Sequence, residues 1–255
     1  MTITVAGEPL IAYLLASLRI VAWLVVVPPF STKAVPVGAK VILSMALALA
    51  VLPAMSGSAV PTGDWELVSS ALTQVFLGAS MGFVTYLIFA AVQAAGDLVD
   101  VFGGFSLAAA FDPLSFNMNT VFGKFHQMLA TMLLFASGAH MLVIGGLLKT
   151  FDALPVGTDA DIAGMSDVIE TAFGLFFTTA LQIALPLVGV LFLADLGLAL
   201  MTRVAPQLNA LGIMFPAKIG LTLLVVGLSF PVLPEAVSRL VDTTGAALQA
   251  MAGGS

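Results

Sequence analysis

Polar, Gly/Pro-rich sequence is set inside or beside long apolar runs at three places in this chain. They are Gln93 to Pro113, Gly138-Ala139-His140, and Arg203 to Asn209. That combination narrows the folds open to the chain. A bilayer admits helices and closed barrels, because every buried N–H and C=O needs a partner within the protein. Irregular polar backbone survives at membrane depth only where protein buries it or where it lines a cavity. The chain is therefore expected to build part of a path in a membrane, or to pack tightly with partners that do.

Composition supports the same class. Hydrophobic residues are 60% of the 255 and charged residues 9%. A soluble domain carries about 25% charged residues, so this chain has too little polar surface to face water all round. No soluble-looking block exceeds a short loop, and one membrane-embedded domain over residues 1–255 is expected. The lack of Cys excludes disulfides, thiolate metal sites and Cys nucleophiles. A net charge of −6 with no Lys/Arg run speaks against nucleic acid. Met1 to Leu10 hold no Lys or Arg, so the first apolar run is expected to be a retained helix rather than a signal peptide.

The apolar segments run from about Pro9 to Val27, Val37 to Leu52, Leu67 to Val92, Val121 to Leu148, Val168 to Met201 and Leu211 to Leu233. The third has scope to continue to Val101. A membrane helix needs about 17–25 residues. The third to sixth segments meet that length and the second is marginal. The fourth and fifth are overlong, which predicts tilt, a kink or a helical hairpin. Pro186 is expected to kink the fifth. The fold class is thus all-α and integral to the membrane, with about six apolar helical segments, several bent or hairpin-like. Lys and Arg favour the first, third and fifth loops inside and both termini outside. The tail from Ala246 to Ser255 is expected to fray.

Few charges lie at depth. Arg19 sits mid-segment, where a cation is usually paired or facing water. An acid on another helix, or a carbonyl at a broken helix, would serve as its partner. Asp97 and Asp100 share a helical face. They suit a cation site or proton relay, but Gly103-Gly104 follows, and the favoured reading is a helix end with both acids solvated. Asp195 and Arg203 lie two turns apart on one face, with Lys218 next along the chain. A salt-bridged cluster and an interfacial loop with snorkelling ends both fit. His126 and His140 lack companion ligands and read as packing histidines. Gly78 and Gly82 form a Gly-x-x-x-Gly pair that permits close helix approach. No phosphate-binding loop, Gly-x-Ser-x-Gly or His-Glu-x-x-His motif occurs.

Several motifs follow one another in order. Arg19 is followed by Pro28-Pro29-Phe30 and Pro36. Gln93-Ala94-Ala95-Gly96-Asp97-Leu98-Val99-Asp100 comes next, and Gly104-Phe105-Ser106-Leu107-Ala108 and Asp112-Pro113 continue the pattern. Phe135, Gly138-Ala139-His140, Phe151 and Pro155 follow, then Arg203-Val204-Ala205-Pro206-Gln207-Leu208-Asn209 and Phe215-Pro216-Ala217-Lys218. In this order they resemble the motifs of the FliR family of flagellar export-gate subunits and, more distantly, its injectisome counterparts. The stretch from Gln93 to Asp100 is similar to that family's Gln-x-Ala-Gly-x-x-Ile-Asp, while Ala109-Ala110 is blander than in many members. The stretch from Arg203 to Lys218 resembles the family's most recognisable signature and leans flagellar.

The resemblance implies a single-copy, non-enzymatic subunit without cofactor or metal, in the bacterial inner membrane at the flagellar basal body. It implies a helical pore complex with FliP-like and FliQ-like subunits, FlhB-like and FlhA-like neighbours, and unfolded flagellar proteins as cargo. It also implies that Gly103 to Asn117, including Phe111, plugs the pore. Local chemistry agrees: Gly103-Gly104 frees the backbone, Ala108 to Ala110 keeps it slim, and Asp112-Pro113 fixes a turn. Arg203, Pro206, Gln207 and Asn209 would serve assembly. Arg19, Asp97 and Asp100 would be buried electrostatic partners, with His140, Asp195 and Lys218 as further polar candidates. The rival expectation is an ion-coupled secondary transporter using Asp97, Asp100 and Arg19. An intramembrane enzyme is the third, without any nucleophile–base constellation behind it.

Overall fold

The computed structural model describes residues 7–55, 63–105, 120–158, 162–204 and 210–253. In chain order the helices are α1 (Gly7–Val26), α2 (Val37–Val51), α3 (Asp64–Gly103), α4 (Val121–Ala136), α5 (His140–Ala153), α6 (Ile162–Val204), α7 (Ala210–Ser229) and α8 (Leu233–Met251). Short 3₁₀ turns follow α2, at Leu52–Met55, and α7, at Phe230–Val232. Among the described residues there is no strand. Among the described residues, five helical stretches are long and apolar enough to cross a membrane, or six if the bent pair α4–α5 counts as one span. The protein is therefore an all-α, multi-pass membrane protein.

Chain breaks sit at residues that cannot continue a helix or that permit a turn. Pro28-Pro29 follows α1 and Pro53 lies in the turn after α2. Gly104, with φ +85°, follows α3, and Gly138, with φ +73°, separates α4 from α5. Both values lie in the left-handed region that favours glycine. The overlong fourth apolar run thus becomes two helices bent at Gly138, whereas α6 continues through Pro186 as one helix of 43 residues.

Three expectations need correction. The second apolar run is not marginal, because its 3₁₀ turn extends it to a 19-residue stretch, Val37–Met55. The tail does not fray from Ala246: α8 runs to Met251, with Leu248 and Met251 buried. The sixth apolar segment stops at Ser229, and a separate amphipathic helix follows it.

The chain packs as two compact units. The first comprises Met1–Ile88, Ser137–Phe173 and Leu240–Ser255. Its core includes Ile20, Trp23, Leu24, Leu77, Met81, Leu147, Phe151 and Leu248. Here α3 lies close against α1. A Cβ on Gly78 would collide with the Arg19 carbonyl, and one on Gly82 would come within 3.0 Å of Val26 Cβ. The Gly-x-x-x-Gly pair therefore serves helix packing within the chain. The second unit comprises Phe89–Ala136 and Gly174–Arg239. Val99, Phe122, Leu187, Leu191 and Val226 form its core, with Phe102, Phe105, Leu221 and Val225 packed on them.

Candidate functional site

In the second unit, the last turns of α3 meet the first turn of α4. A helix start leaves backbone N–H groups without intrahelical partners and carries partial positive charge. The Phe122 and Gly123 N–H groups donate to Asp100 Oδ2 at 2.8 and 3.2 Å. One turn back on the same face, Asp97 Oδ1 accepts from the Thr120 hydroxyl. Two glycines permit the approach. A Cβ on Gly96 would collide with the Phe122 carbonyl, and one on Gly123 with the Asp97 carboxylate and Thr120 hydroxyl.

This overturns the expectation of solvated acids. α3 does end at Gly103, but Asp100 is only 1% exposed and Asp97 is half-buried. Burying a carboxylate is costly unless donors meet it, and the α4 terminus supplies them. Oδ1 of Asp100 is enclosed and has no hydrogen-bond partner among the described residues. His126, also buried, sits one turn further on with Nδ1 2.8 Å from the Phe122 carbonyl oxygen. No group of three or more His, Asp or Glu able to hold a metal occurs among the described residues.

The same region anchors the chain as it leaves α3. The Phe105 N–H donates to the Asp100 carbonyl at 3.1 Å. The Phe105 ring meets the Phe122 ring edge-on, with centroids 4.9 Å apart. The Thr222 hydroxyl, which donates to the Lys218 carbonyl at 2.8 Å, lies 3.4 Å from the Gly103 carbonyl, and a Cβ on Gly103 would come within 2.8 Å of Thr222 Cγ2. Both ends of the intervening stretch are thus held at one place. The stretch itself, with Ser106, Leu107, Ala108, Ala109, Ala110, Phe111, Asp112 and Pro113, lies outside the described residues.

Farther along the unit, Lys218 Nζ contacts both carboxylate oxygens of Asp195 at 2.8 Å, joining α6 to α7. Arg203 does not join them. It is exposed in the last turn of α6, a favourable place for a cation at a helix C-terminus. Pro206, Gln207 and Asn209 lie outside the described residues.

In the first unit, Arg19 is 0% exposed. Its Nε donates to Gln74 Oε1 at 2.7 Å and its Nη1 to the Leu154 carbonyl at 2.9 Å. The guanidinium lies over the Phe151 ring, 4.2 Å from the centroid. Leu154 caps the C-terminus of α5, where carbonyls lack helical partners and the dipole favours a cation. The partner is therefore a helix-end carbonyl together with an amide, not an acid. His140 opens α5 and is half-buried.

Sequence reasoning missed Gln74, Thr120, Gly96 and Gly123 as members of these sites. Gln74 had a signal, being a polar side chain inside an apolar run. Gly96 stood in the family-like motif without a role of its own, and Thr120 and Gly123 had no signal, because their roles come from the pairing of α3 with α4.

Comparison with known proteins gives consistent matches. The profile of the family described as "Bacterial export proteins, family 1" matches residues 10–244. The chain is 29% identical over 222 residues to the flagellar biosynthetic protein FliR of Pectobacterium carotovorum, covering 87% of this chain and 85% of that protein. It is 30% identical over 192 residues to FliR of Escherichia coli K12, covering 75% and 74%. It is 27% identical over 159 residues to the secretion system apparatus protein SsaT of Salmonella typhimurium, covering 62% and 61%.

Proposed function

The chain belongs to family 1 of the bacterial export proteins, and from that premise we propose that it is a flagellar-type subunit of a type III protein export gate. One observation carries this: the family match runs from the first helix into the last, over residues 10–244. The flagellar assignment draws support from coverage. The FliR of Pectobacterium carotovorum aligns over 87% of the chain and SsaT over 62%.

In this reading the chain sits in the bacterial inner membrane with FliP-like and FliQ-like subunits, beside FlhB-like and FlhA-like ones. Together they form the conduit for unfolded flagellar proteins. The chain's role is structural rather than enzymatic. The stretch from Gly103 to Asn117 plugs the conduit, and the hold on both of its ends by Asp97, Asp100 and Phe122 supports that role. Arg203 is free of ion pairs among the described residues, which suits contact with a neighbouring subunit. Pro206, Gln207 and Asn209 serve the same assembly.

The test is co-expression with the FliP-like and FliQ-like proteins of the same source, followed by native mass spectrometry of the detergent-purified product. One copy of this chain in a larger stoichiometric assembly is expected. A stable particle of this chain alone, with those partners absent, would sink the assignment. Deleting Leu107 to Asp112 in the assembled complex is expected to leak ions or small solutes, and membranes as tight as wild type would remove the plug.

A further inference from the structure

The ion pair between α6 and α7 lies deep along both helices and is not closed off. Lys218 Nζ meets both carboxylate oxygens of Asp195, yet the two side chains stay 18% and 37% exposed, respectively. Both belong to stretches long and apolar enough to cross a membrane. At 1.5 Å per residue, Asp195 lies about 13 Å before the end of α6 and Lys218 about 12 Å after the start of α7. That is close to half of a hydrocarbon core about 30 Å thick.

Charges at such depth are costly against lipid and face a bundle interior or a water-filled cavity. The pair is complete in itself, one ammonium on one carboxylate, so it calls for no counter-charge from a neighbouring subunit. Covering it with such a subunit would strip its remaining water, and desolvating an ion pair is costly. Water is the surrounding that fits its exposure. The neighbourhood agrees. Thr222, one turn beyond Lys218, lies against Gly103 at the end of α3. The pair is thus about 6 Å along α7 from the contact that marks the start of the stretch proposed as the plug.

We propose, resting on the export-gate reading, that the α6–α7 seam at Asp195 and Lys218 lines the water-filled conduit beside the plug. Unfolded cargo then passes over an ion pair rather than an apolar wall. A paired wall is wetted by water and carries no net charge, so it presents little field to passing side chains of either sign. That suits an extended polypeptide of mixed sequence.

The test uses single cysteines in the complex assembled with FliP-like and FliQ-like subunits. Ala199 is exposed one turn from Asp195 on the same face of α6. Leu193 and Leu200 are exposed on the far side of that helix, one deeper and one shallower than Ala199. A charged methanethiosulfonate that does not cross lipid is applied from both faces of the membrane. It reacts with the thiolate, which forms in water, so Ala199→Cys is expected to react about tenfold faster than Leu193→Cys or Leu200→Cys. Adding Lys218→Met, which leaves Asp195 unpaired, is expected to speed a cationic reagent at Ala199→Cys about threefold and to slow an anionic one. Native mass spectrometry checks that each variant assembles. If Lys218→Met does not, the three single cysteines decide the question. Equal rates at the three positions, protection of Ala199→Cys in the intact assembly, or rates indifferent to reagent charge in an assembled Lys218→Met overturn the proposal. Protection that disappears when the chain is purified alone assigns the seam to a neighbouring subunit instead. Failure of any assembly to form sinks the export-gate reading and the conduit lining with it.

Discussion

Asp100 shows how a single carboxylate ties two distant segments. Replacing it by Ala leaves the Phe122 and Gly123 N–H groups buried without an acceptor. Each such loss costs about 1–3 kcal/mol, partly offset by no longer burying a charge. Asp100→Ala is therefore expected to destabilise by about 2 kcal/mol. Asp100→Asn, which keeps an acceptor but loses the charge facing the dipole, is expected to lose about 1 kcal/mol. Thermal unfolding of the detergent-solubilised chain measures both, and equal melting for Asp100→Ala and wild type would refute the capping role. The acids and their spacing were legible in the sequence, and so was the helix end at Gly103. Their burial was not legible from the residues themselves and entered only through the family resemblance. It depends on Thr120 and Phe122 returning to the same place after an intervening stretch, and no local pattern encodes that return. Arg19 was more legible, because a cation inside an apolar run demands partners, and a helix-end carbonyl was one of the options it left open.

Among elements, the break between α4 and α5 is the clearest case of sequence dictating geometry. An L side chain at φ +73° costs about 1–2 kcal/mol. Gly138→Ala is expected to destabilise by about that amount. Gly145→Ala is the control: this glycine lies within α5 with nothing within 4 Å of a built Cβ. Exchange there is expected to stabilise by up to about 1 kcal/mol. Unfolding midpoints that move the same way in both variants would refute the hinge. α8 marks the opposite case. Its buried residues Leu233, Val237, Leu240, Val241, Thr244, Leu248 and Met251 follow helical spacing, so a signal was present. It was weak beside the long apolar runs, because charged and polar residues such as Glu235, Arg239 and Asp242 share the helix and lower its apolarity. The overlong fourth run was readable as a hairpin or kink, Gly138-Ala139-His140 marked the place, and the glycine's backbone angle shows the break there.

At the scale of the molecule, helix length sets a constraint of its own. α3 holds 40 residues and α6 holds 43. At 1.5 Å per residue each has a contour of about 60 Å or more, against a hydrocarbon core of about 30 Å. Even a tilt of about 40° leaves part of each helix beyond the hydrocarbon. The lack of native Cys makes any introduced cysteine a unique reporter. Single cysteines replacing the exposed Trp65 and Val101, near opposite ends of α3, are predicted to give at least one site labelled by a membrane-impermeant maleimide. Complete protection of both, from either face of the membrane, would contradict the length argument.

The clasp formed by Asp97, Asp100, Thr120 and the paired Phe105 and Phe122 rings has a bearing on how this region tolerates change. Between ends that are already held together, closure entropy grows only with the logarithm of chain length, and doubling the length adds only about 0.6 kcal/mol. Closure alone thus sets little limit on the length of the segment between Phe105 and Thr120 while α3 and α4 keep their junction, and its composition answers instead to the work proposed for it. Variation within the clasp itself carries the full weight of the buried carboxylates.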